Sequence, residues 1–172
     1  MPTVAFRALG PIAKGKLFND GAVRRAVIEA LSDFEKIALR AAKTIDQSFE
    51  TPFEWKFFAN RLFVAAMEAR VWTDDPRFRW LDEGTRPHVI RPKREGGVLV
   101  FPSQFTPKTS PRRLESRPGG SSGELVFTKV VHHPGTKARN YSRQLRLLLD
   151  NRFRQMLDDA FDRAAPDAFG GG

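Results

Sequence analysis

The chain of 172 residues contains no cysteine, only three histidines and a single tyrosine. Without cysteine it can form no disulfide, no thiolate metal site and no cysteine nucleophile, and the composition fits a reducing compartment. Long hydrophobic runs are also missing. The longest, "LFVAAM" at 62–67, is far too short to cross a bilayer, and the opening "MPTVAFRALGPIAKGK" has no continuous apolar stretch of the signal-peptide kind. The expectation is a protein made in the cytoplasm with no membrane partner. Glycine-rich phosphate cradles are missing as well: the glycines at 96–97 and in "PGGSSG" at 118–123 lack the lysine and following helix that such a loop needs.

The histidines do not compose a metal site. A zinc site draws three or four ligands from Cys, His, Asp and Glu, and the neighbours His132 and His133 point to opposite sides of an extended chain. No HExxH or HxH spacing occurs. Asp82-Glu83 beside His88 and the pair Asp74-Asp75 read more simply as solvated groups and turn or helix caps than as acid/base pairs. No catalytic residue, metal or cofactor is expected.

What is present is positive charge, unevenly placed. Of the net +9, residues 84–117 carry +6, from eight basic against two acidic residues, while 1–83 carry +1 and 118–172 carry +2. Such a field attracts nucleic acid or an acidic protein face.

Hydrophobic content of 41% allows one ordinary core, so the whole of 1–172 reads as a single domain. Apolar residues at three- and four-residue steps from Val23 to Ile45 predict a helix over about 20–48, with Asn19 or Asp20 as N-cap. A second helix over about 139–164 carries Tyr141, Leu145, Leu149, Phe153, Met156, Ala160 and Ala164 on one side, with Leu148, Leu157 and Phe161 widening the stripe, and ends at Pro166. Between them lie short aromatic and β-branched runs. "EWKFF" and "LFVAAMEARVW" flank a reversal at Asn60-Arg61, "RFRWL" reads as a further short strand, and "GVLVF" at 97–101 and "ELVFTKVV" at 124–131 are the clearest strands.

The fold class expected is α+β: an antiparallel or mixed sheet against two long amphipathic helices. Residues 1–18 are an N-terminal arm or short strand, and 165–172 a flexible tail. Residues 102–123, rich in Pro, Ser and Gly, read as a long exposed basic loop or flexible arm between two strands. Lys108, Arg112, Arg113 and Arg117 make it a candidate surface for a neighbouring subunit or for DNA.

Two turns stand out. In "DEGTRPHVIRP" at 82–92 Gly84 can adopt positive φ, while Pro87 and Pro92 hold the chain extended. In "VHHPGT" at 131–136 the Pro134-Gly135 step is a turn leading into the final helix. These two motifs, with the strand "LVF" at 99–101 between them, resemble the neck or tail-completion proteins of long-tailed bacteriophages over about residues 20–164. The residues carrying the likeness are Asp82, Glu83, Gly84, Thr85, Pro87, His88, Pro92, His133, Pro134, Gly135 and Thr136. The resemblance implies a non-enzymatic virion part made in the bacterial host cytoplasm and installed at the head–tail junction. There it would form a homo-oligomeric ring, a hexamer, around the genomic DNA, touching the portal-side connector and tail proteins. The arm at 102–123 is longer and more basic than the family's connection, which leaves open whether the layer is tail terminator, tail completion or head closure. The alternative reading is a basic nucleic-acid-binding module.

Overall fold

The computed structural model describes residues 3–9, 21–47, 49–60, 66–109, 111–114 and 118–169. Its elements are β1 (Thr3–Leu9), α1 (Gly21–Asp46), β2 (Lys56–Ala59), β3 (Ala66–Trp72), α2 (Pro76–Asp82), β4 (His88–Ile90), β5 (Leu99–Thr106), β6 (Gly120–Thr128), β7 (Val131–His133) and α3 (Tyr141–Phe169). The class is α+β with antiparallel pairing throughout these strands.

The strands do not make one sheet. They form a three-stranded sheet in the order β1-β3-β2 and two separate ribbons, β4-β7 and β5-β6. Among the described residues the long helices pack chiefly on the three-stranded sheet and on each other. The N-terminal segment is therefore part of the core rather than an arm: Val4, Phe6 and Ala8 alternate inward and are buried, as half-buried strands require. The rings of Phe6, Phe34 and Phe153 meet at 5.2, 4.8 and 6.1 Å, joining β1, α1 and α3. At the other end Phe78 of α2 lies 5.7 Å from Phe53, 5.0 Å from Trp55 and 6.3 Å from Tyr141. Asp46 closes α1 nearby, accepting from Phe53 N at 3.2 Å and from Trp55 Nε1 at 3.1 Å. Burial pushes its carboxyl above the usual carboxylate range, against the opposing pull of those two bonds.

Several sequence expectations need correction. "RFRWL" is helical, not a strand: the Asp75 carboxylate accepts from Arg77 N at 2.8 Å and Pro76 takes the first turn, a start signal that outweighs the alternation of arginine and aromatic side chains. Lys56 pairs with Trp72 and Ala59 with Ala69, and Asn60 N still donates to Glu68 O at 2.7 Å, so Asn60 belongs to the ladder rather than to the expected reversal at Asn60-Arg61. Arg61, like the proposed N-caps Asn19 and Asp20, lies outside the described residues.

The expected loop at 102–123 is ladder at its two ends, 102–106 and 120–123, which leaves a shorter connection over 107–119. β5 runs on to Thr106 and β6 starts at Gly120, with Leu99 opposite Thr128 and Thr106 opposite Gly120. A bulge separates the pairs Pro102–Leu125 and Gln104–Ser122, and Pro102 sits where a missing N–H is tolerated. The serines and glycines hid a ladder built from main-chain groups.

On α3, Tyr141, Leu145, Leu149, Phe153, Leu157, Ala160 and Ala164 are buried, but Leu148 faces solvent with Leu147. The helix also continues through Pro166 to Phe169, so 165–169 is not a loose tail. Proline disrupts a helix chiefly through the bond and space it takes from the preceding turn, and its own φ is helical.

Candidate functional site

The two turns singled out in the sequence are joined. β4 pairs with β7, His88 opposite His133 and Ile90 opposite Val131, and the chain locks again at Thr85 and Thr136. Thr85 N donates to Thr136 O at 3.0 Å, Thr136 N to Thr85 O at 3.2 Å, and Thr136 N also approaches Thr85 Oγ1 at 2.9 Å. Both glycines are required by this contact. Gly84 has φ +79°, and a Cβ there would stand 2.5 Å from Thr136 O and 2.8 Å from Ala138 N; Gly135 has φ +86°, and its Cβ would collide with Thr85 O. The obstructing atoms are backbone, which cannot rotate away.

Asp82 is a helix cap, as the sequence allowed, but for a helix that the sequence did not point to. Buried at the end of α2, it accepts from Ser142 N at 2.9 Å and Ser142 Oγ at 2.7 Å, supplying the N-terminal cap of α3 from 60 residues away. Its backbone carbonyl takes Asn140 N at 3.0 Å, and Leu81 O takes Arg139 N at 2.9 Å. Glu83 instead faces solvent and pairs with Arg79 at 3.0 Å. Pro87 and Pro134 are exposed and Pro92 half-buried, shaping the backbone without packing in the core.

The rings of His88 and His133 stack at 4.9 Å. His88 Nδ1 lies 2.9 Å from Arg86 O, which can only accept, so that nitrogen carries a proton; Gly135 N donates to His133 Nδ1 at 3.0 Å, so that one does not. Each histidine thus holds its own turn, and His132 projects elsewhere, exposed opposite Val89. Among the described residues no group of three or more His, Cys, Asp or Glu could hold a metal ion, and no helix is long and apolar enough to cross a membrane.

The basic loop beyond β5 returns to this junction. Arg112 N donates to Arg139 O at 3.2 Å, Thr109 is buried with its hydroxyl bonded to that of Tyr141, and Leu114 packs on the core. Lys108, Arg112 and Arg113 remain exposed, whereas Arg117 lies outside the described residues. Arg139 itself is buried, with Nε lacking a partner.

The β5-β6 ribbon pairs with itself and offers apolar side chains to solvent. Val100 stands opposite Phe127 and Pro102 opposite Leu125 on one face; Phe127 is 65% exposed, Leu125 61%, and Phe105 on the other face 71%. A two-stranded ribbon is marginal in water by itself, and exposed apolar side chains gathered in this way mark a surface meant to be covered. The sequence signal was there in "VLVF" and "ELVF", which do not alternate as strands with one wet face do. Compared with known families, curated proteins and solved structures, the chain matches none.

Proposed function

We propose that this chain is a structural subunit of a tailed-phage neck, non-enzymatic, acting as one copy of a ring between the portal-side connector and the tail. The observation that carries the reading is the locked pair of turns. The motifs on which the resemblance rests, about 50 residues apart in sequence, form a single junction whose glycines, threonines and Asp82 all serve the backbone. A junction of that kind is a scaffold feature, and it sets the direction of α3 and the base of the two ribbons. The exposed apolar ribbon supplies what a ring or an adjoining layer would cover, and Lys108, Arg112 and Arg113 supply cations for an acidic neighbour or for DNA in the channel.

Co-sedimentation with DNA-filled, portal-bearing heads and with isolated tails tests the proposal. The protein should bind one or both in the absence of accessible DNA. Binding to naked duplex alone, equal across sequences and steeply weakened by salt, would favour the nucleic-acid-binding module instead.

A further inference from the structure

Apart from the Asp82 cap, which belongs to α2, helix α3 carries its own side-chain charges against its macrodipole. Acids near the first turn and bases near the last complement a helix macrodipole, yet α3 has no acid in its first turn and no base in its last. Arg143 and Arg146 lie near the start, while Asp158, Asp159 and Asp162 lie toward the end.

Each set lines a groove. Arg143 and Arg146, with Arg7 and Arg154, line one of about 460 Å³ between α3 and β1, the outer strand in the order β1-β3-β2. Asp159 and Asp162 line another of about 480 Å³ between α3 and α1, together with Arg163 and with Asp33, which is itself paired to Lys36 at 2.8 Å, so the groove keeps a net negative charge through Asp159 and Asp162. Arg154 is engaged with Asp150 at 3.0 Å and Arg7 lies 3.6 Å from Glu68. Arg143 and Arg146 have no ion-pair partner among the described residues, nor do Asp159 and Asp162 through their carboxylates. From Arg143 to Asp159 is roughly 24 Å along the helix at 1.5 Å per residue, well beyond a Debye length of about 8 Å at physiological salt. These charges cannot neutralise each other within one molecule.

Their direction narrows the choice of partner. At about 100° per residue, Asp159 is turned by roughly 160° from Arg143 around the axis, in agreement with one groove facing β1 and the other α1. A two-fold dimer uses the same patch on both copies, and one partner cannot reach both sides of α3 at once. A copy set head to tail can place its acidic groove on the basic groove of the next. Asp150 beside the arginines makes the basic groove less suited to a phosphate backbone.

We infer that the β1/α3 groove of one copy receives the acidic α1/α3 face of a second copy, through Arg143 and Arg146 against Asp159 and Asp162, in a head-to-tail contact that repeats around a closed ring. This deepens the ring reading above and rests on it.

The test uses the full chain in sedimentation-velocity runs. The parent should assemble at about 50 mM salt and fall toward monomer at about 500 mM, where screening is far stronger. Arg143→Glu/Arg146→Glu alone should be monomeric, and so should Asp159→Arg/Asp162→Arg alone, because each then carries like charges on both faces. A one-to-one mixture should assemble again as alternating copies. Both variants should melt no lower than the parent, since the new charges suit the helix better; Arg143→Gln/Arg146→Gln, with a smaller loss of assembly, serves should a reversal fail to fold. If each variant assembles as the parent does, the contact lies elsewhere and the inference falls while the ring stands. A parent that is monomeric at every salt and concentration would take the ring reading down as well. Loss of labelled-duplex binding in Arg143→Glu/Arg146→Glu with assembly unchanged would assign the groove to nucleic acid and overturn the inference.

Discussion

At Gly135 the side chain is absent because the opposite turn occupies its place. Gly96 has a similar φ of +73°, but nothing lies within 4 Å of a Cβ there. Replacing Gly96 by alanine should therefore cost only the left-handed penalty of about 1–2 kcal/mol. Gly135→Ala adds a collision with Thr85 and Arg86 backbone and should cost clearly more, as paired denaturant melts would show; equal losses would mean that the turns do not touch. Asp46 supplies a pH test. Its carboxyl is raised above the ordinary value by burial, so its stabilising contribution is complete below the unfolded pKa of about 3.9 and is lost as pH rises through the folded value. Asp46→Asn keeps an acceptor for Phe53 N and Trp55 Nε1 without the charge. Melting from about pH 4 to pH 7 should move in the variant's favour relative to the parent, and a parent that gains on the variant with rising pH would contradict that assignment.

Elements that repeat a period many times were legible in the sequence. Val27, Leu31, Phe34 and Ala38 in α1, and Leu145, Leu149, Phe153 and Leu157 in α3, are all buried, as 3.6-residue spacing over several turns demands. Phe34→Ala and Phe153→Ala should each lose about 3–5 kcal/mol, and the double variant less than their sum because the rings touch. Exposed Arg40→Ala should stay within about 0.5 kcal/mol. Comparable small losses in all three, measured by urea unfolding, would place the core elsewhere. Short elements were harder to read. Five residues of "RFRWL" fit either period, and the deciding groups, Asp75 and Pro76, stand just outside them. The β5-β6 ladder was hidden for another reason: composition reports what side chains can bury, whereas this ribbon is held by main-chain bonds and leaves its apolar side chains uncovered.

At the scale of the molecule the least legible features are those that join distant segments. The motif residues were all identifiable in sequence, but not that Thr85 bridges Thr136 or that Asp82 caps α3, because each partner lies 50 or more residues away and leaves no local pattern. The division into a helix-covered sheet and a projecting ribbon follows from these contacts. Excising 98–129 in favour of a short turn between Gly97 and Val130 should leave the α1/α3/β1-β3-β2 body folded, with a modest loss from the contacts of Thr109, Arg112 and Leu114 at the start of α3. The same excision should abolish attachment to heads or tails. Circular dichroism showing an unfolded body would make the ribbon part of the core after all, and undiminished attachment would make it a passive loop.

Electron micrographs of the purified protein, alone and mixed with tails and heads, are the most direct test of the proposal that this chain builds a ring at one end of a phage tail or on a portal. A ring-forming neck subunit should show closed rings with an axial opening, or a cap of added mass at a single tail end or at the portal vertex. Fields of single subunits that decorate neither tails nor heads would contradict it.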